Sequence, residues 1–281
     1  MTSFRALAVL AAAWIAVASS NAAESTATIR VKTADARGET FEVDMALTVF
    51  SPTGAGPFPA VILSHGRPGP SQRAAMGRVK LSSVATAFLG EGFVVVVPTR
   101  VGYGISKGPD LESAGTCEQP RYAGTFAAAA DQVAAAAAFA RTLDHVDGDR
   151  LFLVGHSMGG AATIAAAARN LPGVRAAVSF NGGQGGGASG PCRPDALRKA
   201  FAELGGARAA VPQLWIHVEN DRLLSTAHAR SWFSAFEEAG GRGEINVFPS
   251  YRDDGHWWFG NEPAAWMPTV RAFFLAHGLR P

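Results

Sequence analysis

From residue 59 onward the chain alternates short apolar-rich runs with stretches of helix length, and this order limits the possible folds more than any other feature of the sequence. The runs are Ala60 to Leu63, Phe93 to Pro98, Leu151 to Val154, Val174 to Phe180, Val211 to Val218 and Ile245 to Phe248. Short runs of this kind, bounded by turn residues, suit strands buried on both faces. Between and after them lie segments that read as helices: Val79 to Gly90, the alanine-rich Tyr122 to Leu143, Ala161 to Ala168, Ser225 to Ala239 and Ala264 to His277. Strand and helix in alternation predict an α/β fold, a mostly parallel twisted sheet with helices on both faces and right-handed crossovers. In such a fold ligand chemistry sits at the carboxyl ends of the strands. Upstream, Thr26 to Lys32 and Phe41 to Phe50 alternate apolar and polar residues around the turn Ala34 to Gly38, which predicts an antiparallel N-terminal hairpin. No internal repeat or linker divides residues 24–281, which are expected to form a single domain.

The first 23 residues have a different character. Arg5 precedes the apolar run Ala6 to Ala18, and Ser20-Asn21-Ala22-Ala23 supplies small residues for cleavage, so residues 1–23 are expected to be a removed signal peptide. The run is short for a bilayer span, and no stable membrane anchor is expected. The mature chain would then be periplasmic or secreted. The formal net charge of +2 falls to +1 once Arg5 is removed, and no basic run is present, so nucleic acid is a poor partner. Export into an oxidising compartment also predicts that the two cysteines, Cys117 and Cys192, form a disulfide. No Cys/His cluster has metal-ligand spacing and no phosphate-binding glycine motif occurs in the right context, so no metal or other cofactor is expected.

The run Leu151 to Val154 ends in Gly155-His156-Ser157-Met158-Gly159-Gly160 and leads straight into a helix-forming stretch. Strand, G-x-S-x-G and helix in that order are the setting of a nucleophile elbow, in which a strained turn exposes one serine, here Ser157. Serine is a weak nucleophile unless a base takes its proton and an acid orients that base. Of the seven histidines, His256 lies in the loop after the last strand, and Asp221 lies just past the strand before it, giving the chain order Ser157, Asp221, His256. Glu219, Asp253 and Asp254 are less well placed to orient His256, while His156 is expected to pack under the turn and His65 to order its own loop. Acyl transfer also needs donors for the developing oxyanion. The backbone N–H of Met158, at the start of the elbow helix, is one candidate, and that of Arg67, in the loop after Ala60 to Leu63, is the other. His65, Tyr103 and Trp257 are candidates for lining the pocket.

Taken together, the elbow, His65-Gly66, Arg100-Val101-Gly102-Tyr103-Gly104, Glu219-Asn220-Asp221 and Asp254-Gly255-His256 resemble the α/β-hydrolase superfamily, and most of all its branch of dienelactone-hydrolase-like small serine esterases. The resemblance covers about residues 27 to 278. It implies hydrolysis of a small-molecule ester through an acyl-enzyme. Dienelactone hydrolases proper have a cysteine nucleophile where this chain has Ser157, which argues against a dienelactone substrate. The elbow string is similar to that of cutinases and polyester hydrolases as well. Residues 181 to 208 are too few for a large lid over the site. A peptidase or amidase of the same fold is the alternative activity, and a non-catalytic binding protein on this scaffold is the alternative class.

Overall fold

The computed structural model describes residues 23–186, 190–207 and 209–280, so the expected leader apart from Ala23 lies outside the described residues. Eight strands form one sheet in the order β1-β2-β4-β3-β5-β6-β7-β8. They are β1 Ala23–Ala34, β2 Thr40–Ser51, β3 Phe58–Ser64, β4 Val94–Thr99, β5 Val146–His156, β6 Val174–Phe180, β7 Gln213–Val218 and β8 Gly243–Phe248. β1 and β2 make the expected antiparallel hairpin, β2 joins β4 antiparallel, and β3 to β8 run parallel. The helices are α1 Pro70–Ala75, α2 Ser82–Gly90, α3 Tyr122–Ala140, α4 Met158–Ala167, α5 Pro194–Gly206, α6 Thr226–Glu238, α7 Trp258–Asn261 and α8 Pro263–Ala276. No helix among the described residues is long and apolar enough to cross a membrane.

The apolar runs are strands because each residue has a buried face to fill. In β4, Val94 and Val96 point into one core with α3 and α4, whereas Val95 and Val97 point into the other with α2 and α8. β5 divides likewise, Leu151 and Leu153 against Phe152 and Val154. The two cores are built differently. Alanines of α3 and α4 dominate the first, while aromatic rings crowd the second, with Phe152 and Phe274 centroids 4.3 Å apart and Phe88 beside Phe93 and Trp266 at 5.7 Å. Every residue of α4 is buried, so this helix has no solvent face. The alanine-rich α3 is a helix packed on the sheet, as its propensity suggests, and not a linker.

Three features were not anticipated. α1 and α7 are one-turn helices with too few residues to show a period, and β5 begins at Val146, five residues before its apolar core. β3 has β4 on one side and β5 on the other, so the strand order reverses there. A crevice opens at the carboxyl ends of strands where the order reverses. The loops leaving β3 and β5 are those that carry Arg67 and Ser157.

Candidate active site

Ser157 follows β5 directly and has φ 58° and ψ −124°, a left-handed conformation that a non-glycine residue adopts only under strain. The surroundings hold it there. Its N–H donates to the Phe180 carbonyl at 2.9 Å, and its own carbonyl accepts from Ala161 N–H at 3.1 Å and Gly183 N–H at 3.2 Å. The motif glycines permit the close approach. A Cβ on Gly159 would fall on the carbonyl oxygens of Ser64 and His65, and one on Gly155 would fall on the carbonyl of Gly159. The β3 loop therefore lies against the elbow, and a Cβ on Gly66 would come within 3.3 Å of Cβ of Ser157.

Asp221 leaves the end of β7 and is buried, as is His256 in the short turn Gly255–Trp257. The His256 ring meets Asp221 through Nδ1, 2.9 Å from Oδ2. Because a carboxylate accepts, Nδ1 carries the proton and Nε2 is left with its lone pair. Asn181 Nδ2 donates to the same Oδ2, and the N–H groups of Leu223 and Leu224 donate to Oδ1, each at 2.8 Å. Burial pushes the Asp221 carboxyl upward, but His256 and the Leu224 and Leu223 N–H groups outweigh it and hold the group below its ordinary range. The other acids weighed beside Asp221 do different work. Asp254 caps the His256 turn by accepting from His256 N–H at 3.0 Å and Arg222 N–H at 3.1 Å, while Glu219 accepts from the N–H and hydroxyl of Ser250.

His156 couples the elbow to this pair. Its Nε2–H donates to the His256 carbonyl at 2.7 Å, its ring lies 4.6 Å from that of His256, and it stacks on Phe259 at 5.3 Å. Burial, and then the nearby His256, lower its pKa to about 3, so His156 is neutral and serves packing. His65 donates from Nδ1 to Gly66 O at 2.7 Å, while its Nε2 accepts from Arg100 N–H at 3.1 Å, which orders the β3 loop. The backbone N–H groups of Arg67 and Met158 donate to no protein acceptor among the described residues.

A cavity of about 390 Å³ opens beside Ser157, Met158 and Arg67. Its walls come from two loops, 113–117 after the Arg100 turn and 183–186 after β6, together with Tyr122, Leu223 and Leu224. Cys117 and Cys192 are joined and tie the two walls together, with Cα atoms 5.2 Å apart. Tyr122 Oη–H donates to the Cys192 carbonyl at 2.5 Å. The three residues expected to line the pocket do not border this cavity. His65 and Tyr103 are buried beneath its floor, because each is consumed in bonds that order the loops, and Trp257 stands 58% exposed with its ring edge-on to that of His256 at 5.5 Å. Among the described residues no group of three or more His, Cys, Asp or Glu side chains could hold a metal ion.

Sequence reasoning missed a buried ionic network under the cavity. Arg100, fully buried, donates from Nε and Nη2 to Glu112 at 2.5 and 3.1 Å, and from Nη1 to Ser64 Oγ and the His65 carbonyl at 2.9 and 2.6 Å. Tyr103 Oη–H donates to Glu112 at 2.5 Å and accepts from Arg67 Nη1 at 3.1 Å. Burial and the Glu112 carboxylate push ionisation of the Tyr103 phenol upward, so it stays neutral. Arg67 in turn grips Asp110 through two bonds of 2.8 and 2.6 Å. Arg73 Nη1 lies 2.6 Å from the same carboxylate, an ion contact without the alignment of a hydrogen bond.

The sequence profile described as the alpha/beta hydrolase family matches residues 61–279. The chain belongs to the α/β-hydrolase family. Solved structures place this hydrolase among the same folds. It superposes on the acetyl xylan esterase from Paenibacillus sp. R4 with TM-score 0.59 at 15% identity, over 92% of this chain and 89% of that one. A Klebsiella pneumoniae subsp. pneumoniae protein assigned as a dienelactone hydrolase gives TM-score 0.53 at 19% identity, over 88% and 98%. Porphyromonas gingivalis dipeptidyl peptidase 4 gives TM-score 0.60 at 13% identity, over 89% of this hydrolase but only 35% of the peptidase. Five peptidase chains match over 35–42% of their own length. No curated protein sequence matches the hydrolase.

Proposed function

We propose that this α/β hydrolase is an exported serine hydrolase that cleaves carboxylic esters through an acyl-enzyme. The observation that carries the reading is the Asp221–His256 bond at 2.9 Å, with the His256 carbonyl tied to His156 of the strained Ser157 turn. In the proposed reaction Ser157 Oγ attacks the ester carbonyl and His256 Nε2 takes its proton. Asp221 keeps the imidazole in the required tautomer and stabilises it once charged. The oxyanion lies against the free N–H groups of Met158 and Arg67, the former also at the positive end of α4. His256 then returns its proton to the leaving alcohol, and water, activated in the same way, releases the acid. Export rests on the leader-like N-terminus and agrees with the Cys117–Cys192 disulfide.

The test is Ser157→Ala. The variant is expected to lose turnover of 4-nitrophenyl esters and covalent labelling by a fluorophosphonate while keeping the circular dichroism of the parent. Full ester turnover in this variant would refute the assignment. A peptidase or amidase reading draws on the peptidase folds that superpose on this chain. The cavity offers it no support, because no Asp or Glu lines the described wall to hold a substrate amine. Matched ester and amide substrates with the same acyl group separate the two activities.

A further inference from the structure

The ionic network beneath the cavity is unbalanced. Arg67, Arg73 and Arg100 supply three positive charges, and Asp110 and Glu112 supply two negative ones, joined through Tyr103 into a single connected group. One positive charge is left over. Arg100 and Glu112 are wholly buried, and Arg73 is nearly so. Of the five ionic side chains only Arg67 borders the cavity, and its side chain is 20% exposed. No other charged residue lines the described wall. Glu118 is on the same loop as Cys117 but is fully exposed and outside the wall.

Arg67 also has donors to spare. Of its five side-chain N–H groups, Nη1 uses two on Tyr103 and Asp110 and Nη2 uses one on Asp110. Among the described residues the Nε–H and one Nη2–H are left unengaged, on a guanidinium whose plane is already fixed by the two-point grip of Asp110. A pre-oriented, undercompensated guanidinium at the edge of an otherwise uncharged cavity favours an anion there. The backbone of the same residue bears one of the proposed oxyanion donors, so the anion would sit within one arginine side-chain length of the scissile carbonyl.

We infer that the preferred substrate carries a carboxylate on the part of the ester that enters this cavity, held by Arg67. This rests on the ester-hydrolase reading above and adds the substrate class: monoesters of short dicarboxylic acids, or esters with a carboxylate at comparable reach. The neutral remainder of the substrate packs on Leu223, Leu224 and the disulfide.

The experiment compares 4-nitrophenyl pentanoate with the 4-nitrophenyl monoester of glutaric acid, which has the same acyl length and a terminal carboxylate, after subtraction of the enzyme-free rates. The wild-type enzyme is expected to show a kcat/KM at least about tenfold higher for the anionic ester, the scale of one hydrogen bond to a charged group, with the ratio shrinking in 0.5 M salt. Arg67→Gln and Arg67→Lys both lose the two-point grip on Asp110, and only the first loses the charge. The anionic preference is expected to vanish in Arg67→Gln and to persist, reduced, in Arg67→Lys. A wild-type ratio at or below one, or an equal loss in both variants, overturns the inference. Fluorophosphonate labelling that depends on Ser157, run in parallel, separates this from failure of the ester-hydrolase reading. If neither ester turns over and no Ser157-dependent label appears, the underlying reading falls and the inference falls with it.

Discussion

Replacing Glu112 with glutamine keeps the shape of the side chain and removes its charge, so it isolates the contribution of the buried ion pair. In the native protein one carboxylate oxygen accepts from Arg100 Nε, and the other accepts from both Arg100 Nη2 and the Tyr103 hydroxyl. In Glu112→Gln one of those positions becomes an NH2 group, which faces a guanidinium donor whichever way the amide is turned. Arg100 is then a buried cation with no counter-charge, its acceptors reduced to the single amide oxygen of the glutamine, Ser64 Oγ and the His65 carbonyl. Breaking a buried pair by removing one partner costs about 3–5 kcal/mol. That is a large share of the roughly 5–15 kcal/mol that holds a typical domain together. The assay is equilibrium urea unfolding with the disulfide intact, followed by the fluorescence of the five tryptophans beyond the expected leader. The midpoint is expected to fall with little change in slope. Arg100→Met with Glu112→Leu, which removes both charges, is expected to be less destabilised than Glu112→Gln alone. A cost below about 1 kcal/mol for Glu112→Gln would refute the account of an uncompensated buried charge.

Burial holds three histidines neutral: His65 well below its ordinary pKa, His156 at about 3 and His217 at about 4. The unfolded chain therefore binds more protons than the folded one below about pH 6.5, and stability is expected to fall on acidification by up to about 1.4 kcal/mol per pH unit for each histidine until its folded pKa is reached. Urea midpoints measured from pH 7 to 4.5 check this, and a flat profile would contradict it. The Cys117→Ser/Cys192→Ser variant is expected to lose about 2–4 kcal/mol, in keeping with a link across 75 residues, and to show a larger rise in KM than fall in kcat, because the bond ties together two cavity walls. Gly159→Ala is expected to abolish ester turnover or soluble expression, since its methyl would collide with the Ser64 and His65 carbonyls; an active, stable Gly159→Ala enzyme would show that the β3 loop and the elbow are not in tight contact.

The strands of the parallel half were readable from sequence because each buried run has apolar residues facing both cores, as Val94 to Val97 do, whereas their order in the sheet was not. The positions of Ser157, Asp221 and His256 followed from the ends of those strands. What sequence could not disclose were partners that meet only after the sheet has assembled. Glu112 sits in an irregular loop with no period to mark it, and its pairing with Arg100 depends on how that loop folds back under the cavity. Asn181 looked like one more loop polar residue, yet it steadies Asp221. A positive φ of 46° at Asn181, directly after β6, is invisible in a string of letters. Tyr103 and His65 are pocket candidates by sequence, but their rings are buried and their polar atoms are spent on the scaffold.

The elbow helix α4 is enclosed along its whole length, with all ten residues from Met158 to Ala167 out of solvent. A helix with a wet side can fray or swing about that side without disturbing the rest of a domain. This one has no such freedom. Neighbouring strands and helices surround it, so its first residue can be displaced only by parting layers that are themselves buried. Ser157 thus stands at the head of a helix with no solvent face, and adjustment to a substrate falls to the disulfide-tied loops around the cavity.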